Sequence, residues 1–432
     1  MVAALCAAVA CKEAEPTRVD ARVMLGSAAR LTSQNYARFE SGNIGKIRRP
    51  SPRHIEMSLR SDNDDALPPF WRQWFYTKLD NLPVGQDVTI TIKGGGHWNY
   101  YLPVYSYDRQ TWHHFSERQT TQPTKHSLAV TARFKSDTVW VARYVPYTYT
   151  HLNAYLKRLD ARRGVTVGDI GRTREGRIVP TVTITDSRVP LAKKRRVLIH
   201  ARTHPGEVGS SFLLEGMLDY LSSNSRTARA MRKNLVFDVV PMLNVDGVVA
   251  GNNRVTPYGV NLEGKWYSDP KNPLRLDARR APHEVRLWHA RIMELLREPA
   301  PVTVALNLHA SAGQPEDGVF FFPHFGARQL GYRADEASLF GRQMRFIEHF
   351  IDQHGPAWFN RPPTDGTRAM ASKNVPESWW WRNFNGNVMA LSIESTYGRV
   401  PGGRRWVSPD DMRALGKSLA RALARYHQVP AK

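Results

Sequence analysis

Three apolar runs after residue 190 each lead into a residue that can bind a metal or move a proton, and this constrains the fold more than any other feature. Val197-Leu198-Ile199 runs into His204-Pro205-Gly206-Glu207, Val302 to Leu308 ends in His309, and Val388 to Ile393 ends in Glu394. Short apolar runs bounded by turn residues read as buried strands. A histidine nitrogen and a carboxylate oxygen three residues apart on one turn grip one face of a zinc ion and leave positions for another ligand and a water. His-x-x-Glu, then His, then Glu at three strand ends are the parts of a one-zinc hydrolase.

At 432 residues the chain exceeds one ordinary core, which predicts two domains. A hydrophobic fraction of 41% with 12 Trp and no low-complexity tract describes a folded globular protein. The formal charge of +22 suits an anionic partner. The plainer reading is a solvated arginine-rich surface, and with no recognition motif, nucleic acid is not an expected partner. Both cysteines, Cys6 and Cys11, lie near the N-terminus, so the rest of the chain has no thiol for a disulfide or a metal. Ala8-Val9-Ala10-Cys11 resembles the end of a bacterial lipoprotein signal, although no basic segment precedes it. Residues 1–30 are therefore expected to be leader and linker. A lipid anchor at Cys11 and a periplasmic or outer-membrane location are preferred over the cytoplasm.

From 31 to 150 the pattern is short strands and turns. Trp74-Phe75-Tyr76, Val88 to Ile92, Tyr100 to Val104 and Val139 to Ala142 read as strands; Gly94-Gly95-Gly96 and Ser116 to Lys125 read as loops. That spacing predicts an antiparallel β-sandwich. From 151 to 432 strands alternate with helices, such as Val208 to Leu221 and Pro282 to Leu296, which predicts an α/β/α domain with its site at strand ends. Ser408-Pro409-Asp410-Asp411 starts a last helix whose buried face is Met412, Leu415, Leu419 and Leu423.

Several blocks, in this order, resemble the zinc metallocarboxypeptidases, in particular the cytosolic-carboxypeptidase-like branch and its bacterial members. They are Phe39 to Asn43, Gln73 to Tyr76, Pro103 to Ser106, Tyr144 to Tyr149, His204 to Glu207, Pro241 to Val248, Gly251 to Arg254, Leu308-His309 and Glu394. The resemblance implies a mixed central sheet and one Zn²⁺ per chain held by His204, Glu207 and His309. It implies Glu394 as general base and acid, and Arg254 as the cation that stabilises the oxyanion. Structural alternatives exist for each: a core histidine, a salt-bridged glutamate, a surface arginine. Asn244 and Asp246 read as shaping the turn beside the metal.

Two departures bear on substrate. Where the family reads roughly Gly-x-Asp-Leu-Asn-Arg-x-Trp, its Asn-Arg pair grips the substrate carboxylate; this chain has Gly259-Val260-Asn261-Leu262-Glu263-Gly264-Lys265-Trp266. Glu263 would repel a carboxylate. Lys265 is a candidate replacement, as a point charge without a guanidinium's fork. The family's tyrosine some twenty residues before the glutamate is also missing, and Trp379-Trp380-Trp381 stands in that stretch. Trp379 is a candidate pocket wall, with a core tryptophan as the alternative. The leading expectation is a zinc peptidase or amidohydrolase acting on a peptide or amide, acidic or cell-wall derived. The alternative is a catalytically weak or inactive zinc-scaffold binding protein, because Glu263-Gly264 replaces the carboxylate-anchoring pair.

Overall fold

The computed structural model describes residues 36–62, 72–95, 101–311, 318–323, 334–360, 374–384, 386–403 and 405–430. The leader, with Cys11 and the lipid anchor expected there, lies outside the described residues. No helix among them is long and apolar enough to cross a membrane.

The first part is built of nine strands: β1 (Ile47–Ser51), β2 (His54–Ser58), β3 (Tyr76–Leu79), β4 (Asp87–Lys93), β5 (Val104–Ser106), β6 (His113–His114), β7 (Thr120–Thr124), β8 (Ser127–Arg133) and β9 (Val139–Ala142). They form a five-stranded sheet, β1-β2-β4-β8-β7, and a four-stranded sheet, β3-β9-β5-β6. β4 shows the period of two that makes such sheets: Val88, Ile90 and Ile92 are fully buried and the residues between them are not. One pair departs from the antiparallel expectation, because β2 runs parallel to β4 with Ile55 beside Ile90. The segment Ser116 to Lys125, expected as a loop, contains edge strand β7. Its residues Thr-Thr-Gln-Pro-Thr are almost all exposed, so no alternating apolar signal marks it, and Pro123 is tolerated because the strand lies at an edge.

The second part contains α1 (Tyr149–Asp160), β10 (Val165–Arg172), β11 (Ile178–Ile184), β12 (Arg195–Ala201), α2 (Val208–Leu221), α3 (Arg226–Asn234), β13 (Leu235–Val240), α4 (Val245–Val249), the hairpin β14 (Ser268–Asp269) and β15 (Asn272–Leu276), α5 (His283–Leu295), β16 (Val302–Ser311), β17 (Phe320–Phe322), α6 (Ala334–His354), α7 (Pro376–Phe384), β18 (Met389–Thr396) and α8 (Pro409–Tyr426). The sheet order is β10-β11-β13-β12-β16-β18-β17. β13, β12, β16 and β18 are parallel neighbours, flanked by antiparallel strands. The four parallel strands are buried almost throughout, as strands covered on both faces must be.

The two faces have different work. A Cβ on Gly209 of α2 would sit 3.1 Å from both Ala310 Cβ and Ser395 Oγ, so those side chains face α2. Their sequence neighbours His309 and Glu394 point to the opposite face, by strand alternation. α2 and α8 cross closely: a Cβ on Gly416 would stand 1.8 Å from Leu213 O. Ser408 caps α8 by accepting from Asp411 N, and Met412, Leu415, Leu419 and Leu423 are fully buried, as their spacing predicts.

Candidate active site

After β12 the chain turns through Arg202, which has φ +57°. This is a strained conformation for a side-chain-bearing residue. It is held by the buried guanidinium, which donates to Tyr147 O (3.2 Å), Ser211 Oγ (3.0 Å) and Pro205 O (2.5 Å). The turn delivers His204 and then Glu207, the residue before α2. Glu207 occupies the N-cap position but makes no capping bond with its side chain. Its carboxylate turns instead to two imidazoles: Oε1 is 2.8 Å from His204 Nδ1 and Oε2 is 2.7 Å from His309 Nδ1.

The far nitrogens of both rings have their own partners. His204 Nε2 is 3.1 Å from Asn261 Oδ1, and His309 Nε2 is 3.3 Å from Glu263 Oε2. Such outer partners fix ring orientation and leave Nδ1 to face the centre. One ligand atom from each of His204, Glu207 and His309 lies within 4.8 Å of the others. Two imidazole nitrogens and a carboxylate oxygen are a donor set that suits zinc and leaves a position open. The electrostatics agree. Burial works against a charged His309, yet Glu207 and Glu263 outweigh it and hold the imidazole pKa well above its usual value. Burial likewise opposes ionised Glu207, and His204 and His309 overcome it, holding the carboxyl well below. A cation at this point would take over the work of the shared protons.

Glu394 is the register partner of His309 across β16 and β18, so both side chains leave the sheet on the same side. Burial, with Glu207 next, pushes its pKa up to about 8, against the pull of His309 and Arg254. Its Oε2 has no hydrogen-bond partner among the described residues.

Arg254 sits on a loop held from the first part of the chain. Asp62 Oδ2 accepts from the backbone N–H of Asn253 (2.8 Å), Arg254 (2.5 Å) and Val255 (3.3 Å). Arg60 donates to Ala250 O (3.0 Å) and Asn252 Oδ1 (3.1 Å), and Asn43 donates to Gly251 O (2.6 Å). The fit is close enough that a Cβ on Gly251, at φ +69°, would meet Gly42 O at 2.3 Å. The loop also touches the metal turn, since Gly206 N donates to Asn253 O at 2.8 Å. The β-rich part thus braces the loop that carries Arg254, a role its sequence did not disclose.

Asn244 and Asp246 have the turn-shaping positions expected of them. Asn244 accepts from Gly247 N and donates to Thr203 O, while Asp246 accepts from Thr173 Oγ1, Glu175 N and Arg177. Two substrate-contact expectations fare differently. The Lys265 ammonium lies 5.8 Å from the ring centre of Tyr267. Trp379 is 0% exposed, with its ring 5.1 Å from that of His289 and 4.9 Å from that of Trp380. Its position is that of the core alternative, packed among aromatic rings. Sequence reasoning missed Asp62 and the inward turn of Glu263 onto His309; Glu377 read there only as one of three charges, with Arg368 and Lys373, that could meet a polar substrate. No spacing pattern singles out Asp62 among Asp62, Asp64 and Asp65.

The fold and the triad together define a centre of the metallohydrolase type. Residues 152–312 match the family profile described as zinc carboxypeptidase, and residues 36–144 match that of the cytosolic carboxypeptidase N-terminal domain. Cytosolic carboxypeptidase 1 of Mus musculus is 28% identical over 278 residues, 54% of this chain and 22% of the relative. Cytosolic carboxypeptidase 3 of Bos taurus is 30% identical over 322 residues, 66% of this chain and 30% of the relative. The match thus spans less than a third of either relative's length. Among solved structures, a metallo-carboxypeptidase from Burkholderia cenocepacia superposes with a TM-score of 0.74 at 23% identity, covering 91% of this chain and 98% of the other. One from Pseudomonas aeruginosa gives 0.71 at 21%, covering 91% and 98%; these two likenesses concern the fold. The chain belongs to the zinc carboxypeptidase family, in its cytosolic-carboxypeptidase-like branch. Glu394 lies beyond both profiles.

Proposed function

We propose that this chain is a zinc-dependent peptidase or amidohydrolase that uses one metal ion and a water to cleave a peptide or amide bond. The observation that carries the reading is the convergence of His204 Nδ1, His309 Nδ1 and the Glu207 carboxylate beside Glu394, the register partner of His309. Bound zinc would acidify a water and polarise the scissile carbonyl. Glu394, enclosed and with a free oxygen, is suited to take the proton from the attacking water and return it to the leaving amine. Arg254 would meet the oxyanion, on a loop fixed by Asp62 before the substrate arrives. Asn261 and Glu263 would orient the two histidines. Lys265 and Trp379 carry no part of this reading. Of the substrates expected from the sequence, acidic peptides are the least favoured, because Glu263 lies 3.3 Å from the ligand His309.

The test is Glu394→Gln, with metal content and hydrolysis of a peptide and amide mixture read by mass spectrometry. We expect zinc near one per chain in both proteins and hydrolysis lowered roughly 10²–10⁴-fold in the variant, the usual worth of a general acid–base. Undiminished hydrolysis would assign the proton transfer to another group.

A further inference from the structure

Beside the triad, on the same face of the sheet, lies a set of buried polar atoms that the hydrolytic machinery does not use. His200 and Asn307 are register partners on β12 and β16, so their side chains emerge together. They are 5% and 1% exposed, and His200 Nε2 and Asn307 Oδ1 have no hydrogen-bond partner among the described residues. Asn307 gives its amide nitrogen to Glu263 Oε1 at 2.9 Å. Glu377, on the first turn of α7, completes the set. It is 1% exposed, the one side-chain donor near its carboxyl among the described residues is the Asn307 amide, whose hydrogen bond to Glu263 leaves Glu377 at most a weak contact, and Glu263 is near enough to repel its charge. Trp266 N donates to Asn374 O at 2.8 Å, which ties the segment carrying Glu263 to the start of α7.

Buried polar atoms without partners are rare in folded proteins, and each calls for a group that satisfies it. The group is rich in acceptors: the carboxylate of Glu263, Asn307 Oδ1 and the carboxyl of Glu377, which an adjacent cation would return to its charged, acceptor-only form. A ligand that fills them brings N–H donors and positive charge. A carboxylate there would be repelled and would leave the acceptors unmade.

Resting on the hydrolase reading above, we propose that this acceptor cluster receives the leaving part of the substrate as a cation: the bond cleaved joins an acyl group to an amine that carries a second, protonated amine and no carboxylate. An acylated diamine is the simplest member of that class. Hydrolysis adds one water across the C–N bond. The acyl carbon keeps the oxygen and becomes a carboxylate, and the leaving nitrogen takes a proton of that water through Glu394.

The test begins with binding, so that it does not depend on turnover. Zinc-loaded Glu394→Gln protein is titrated calorimetrically with N-acetylcadaverine, N-pentylacetamide and Nα-acetyl-lysine, which differ only in the terminal amine and the carboxylate. We expect N-acetylcadaverine to bind about tenfold or more tighter than either of the others, the effect of a charge-assisted contact. Adding Glu377→Gln should abolish its advantage over N-pentylacetamide while zinc is retained. Equal binding of the first two ligands, tighter binding of Nα-acetyl-lysine, or an advantage that survives that substitution overturns the proposal. The wild-type enzyme is then given one acyl peptide joined to cadaverine, pentylamine or lysine. Preferred release of cadaverine supports both readings. Preferred release of lysine overturns the cation site and keeps the hydrolase, whereas preferential binding without release of any amine keeps the cation site and contradicts the hydrolase.

Discussion

Asp62→Ala should cripple the site from another part of the chain. One carboxylate oxygen accepts three consecutive backbone N–H groups around Arg254, at 2.8, 2.5 and 3.3 Å. Leaving a buried donor unmade costs about 1–3 kcal/mol. Three donors share one oxygen and water can reach some of them, so the expected loss is about 2–4 kcal/mol rather than the full sum. The catalytic effect follows from position. A displacement near 1 Å at a reacting centre costs roughly 10²-fold, and losing an oxyanion donor outright costs about 10²–10³-fold in kcat. Asp62→Ala is therefore expected to lower kcat roughly 10–100-fold, with a smaller change in KM. Burial raises the pKa of Asp62, against the three N–H donors and Arg60, and its Oδ1 has no partner among the described residues. Asparagine keeps an acceptor oxygen, so Asp62→Asn should stay within a few-fold of wild type. Steady-state kinetics and thermal melts on Asp62→Ala, Arg254→Ala and the double variant provide the assay. The double variant should be no slower than Arg254→Ala, because both changes disable one device. A kcat for Asp62→Ala equal to wild type would refute the reasoning, as would full additivity with Arg254→Ala.

Two further predictions concern stability. Burial, then Glu263, lifts the Glu377 pKa to about 8 from an ordinary value of 4.5. A folded-state pKa raised in this way contributes stability that is complete below about pH 4.5 and is lost as pH rises through 8. The melting temperature of metal-free protein should therefore fall between pH 5 and 8.5, and less steeply in Glu377→Gln; identical slopes would count against a strained buried acid. Gly416→Ala should destabilise by about 1–3 kcal/mol, the usual cost of overpacking, because the new Cβ would stand 1.8 Å from Leu213 O where α2 and α8 cross. Denaturant unfolding measures this, and an unchanged midpoint would mean that the helices separate without cost.

What was legible in the sequence was what local pattern controls. His204, Glu207, His309 and Glu394 stood out because each ends or follows an apolar run, and strands covered on both faces leave few other places for polar side chains. The last helix was legible down to its capping serine. Features that depend on pairing or on distant contacts were not. The parallel β2–β4 pair and the polar edge strand β7 leave no periodic trace. Asp62 is one of several acids in a short stretch, and only the approach of the Arg254 loop distinguishes it. Glu263 read as the loss of a carboxylate grip; that its side chain turns inward to His309 and Asn307 needed the three-dimensional arrangement. Trp379 was ambiguous between pocket and core because tryptophan serves both; the structure packs it against His289, Trp266 and Trp380, contacts between distant segments that no local pattern reveals.

A metal held by His204, Glu207 and His309 is the basis of the proposed chemistry, and zinc X-ray absorption spectroscopy of the loaded protein reads its ligands. The expected first coordination sphere is nitrogen and oxygen with the scattering of two imidazoles, reduced to one in His309→Ala. A sphere with no imidazole scattering, or a spectrum unchanged by that substitution, would contradict it.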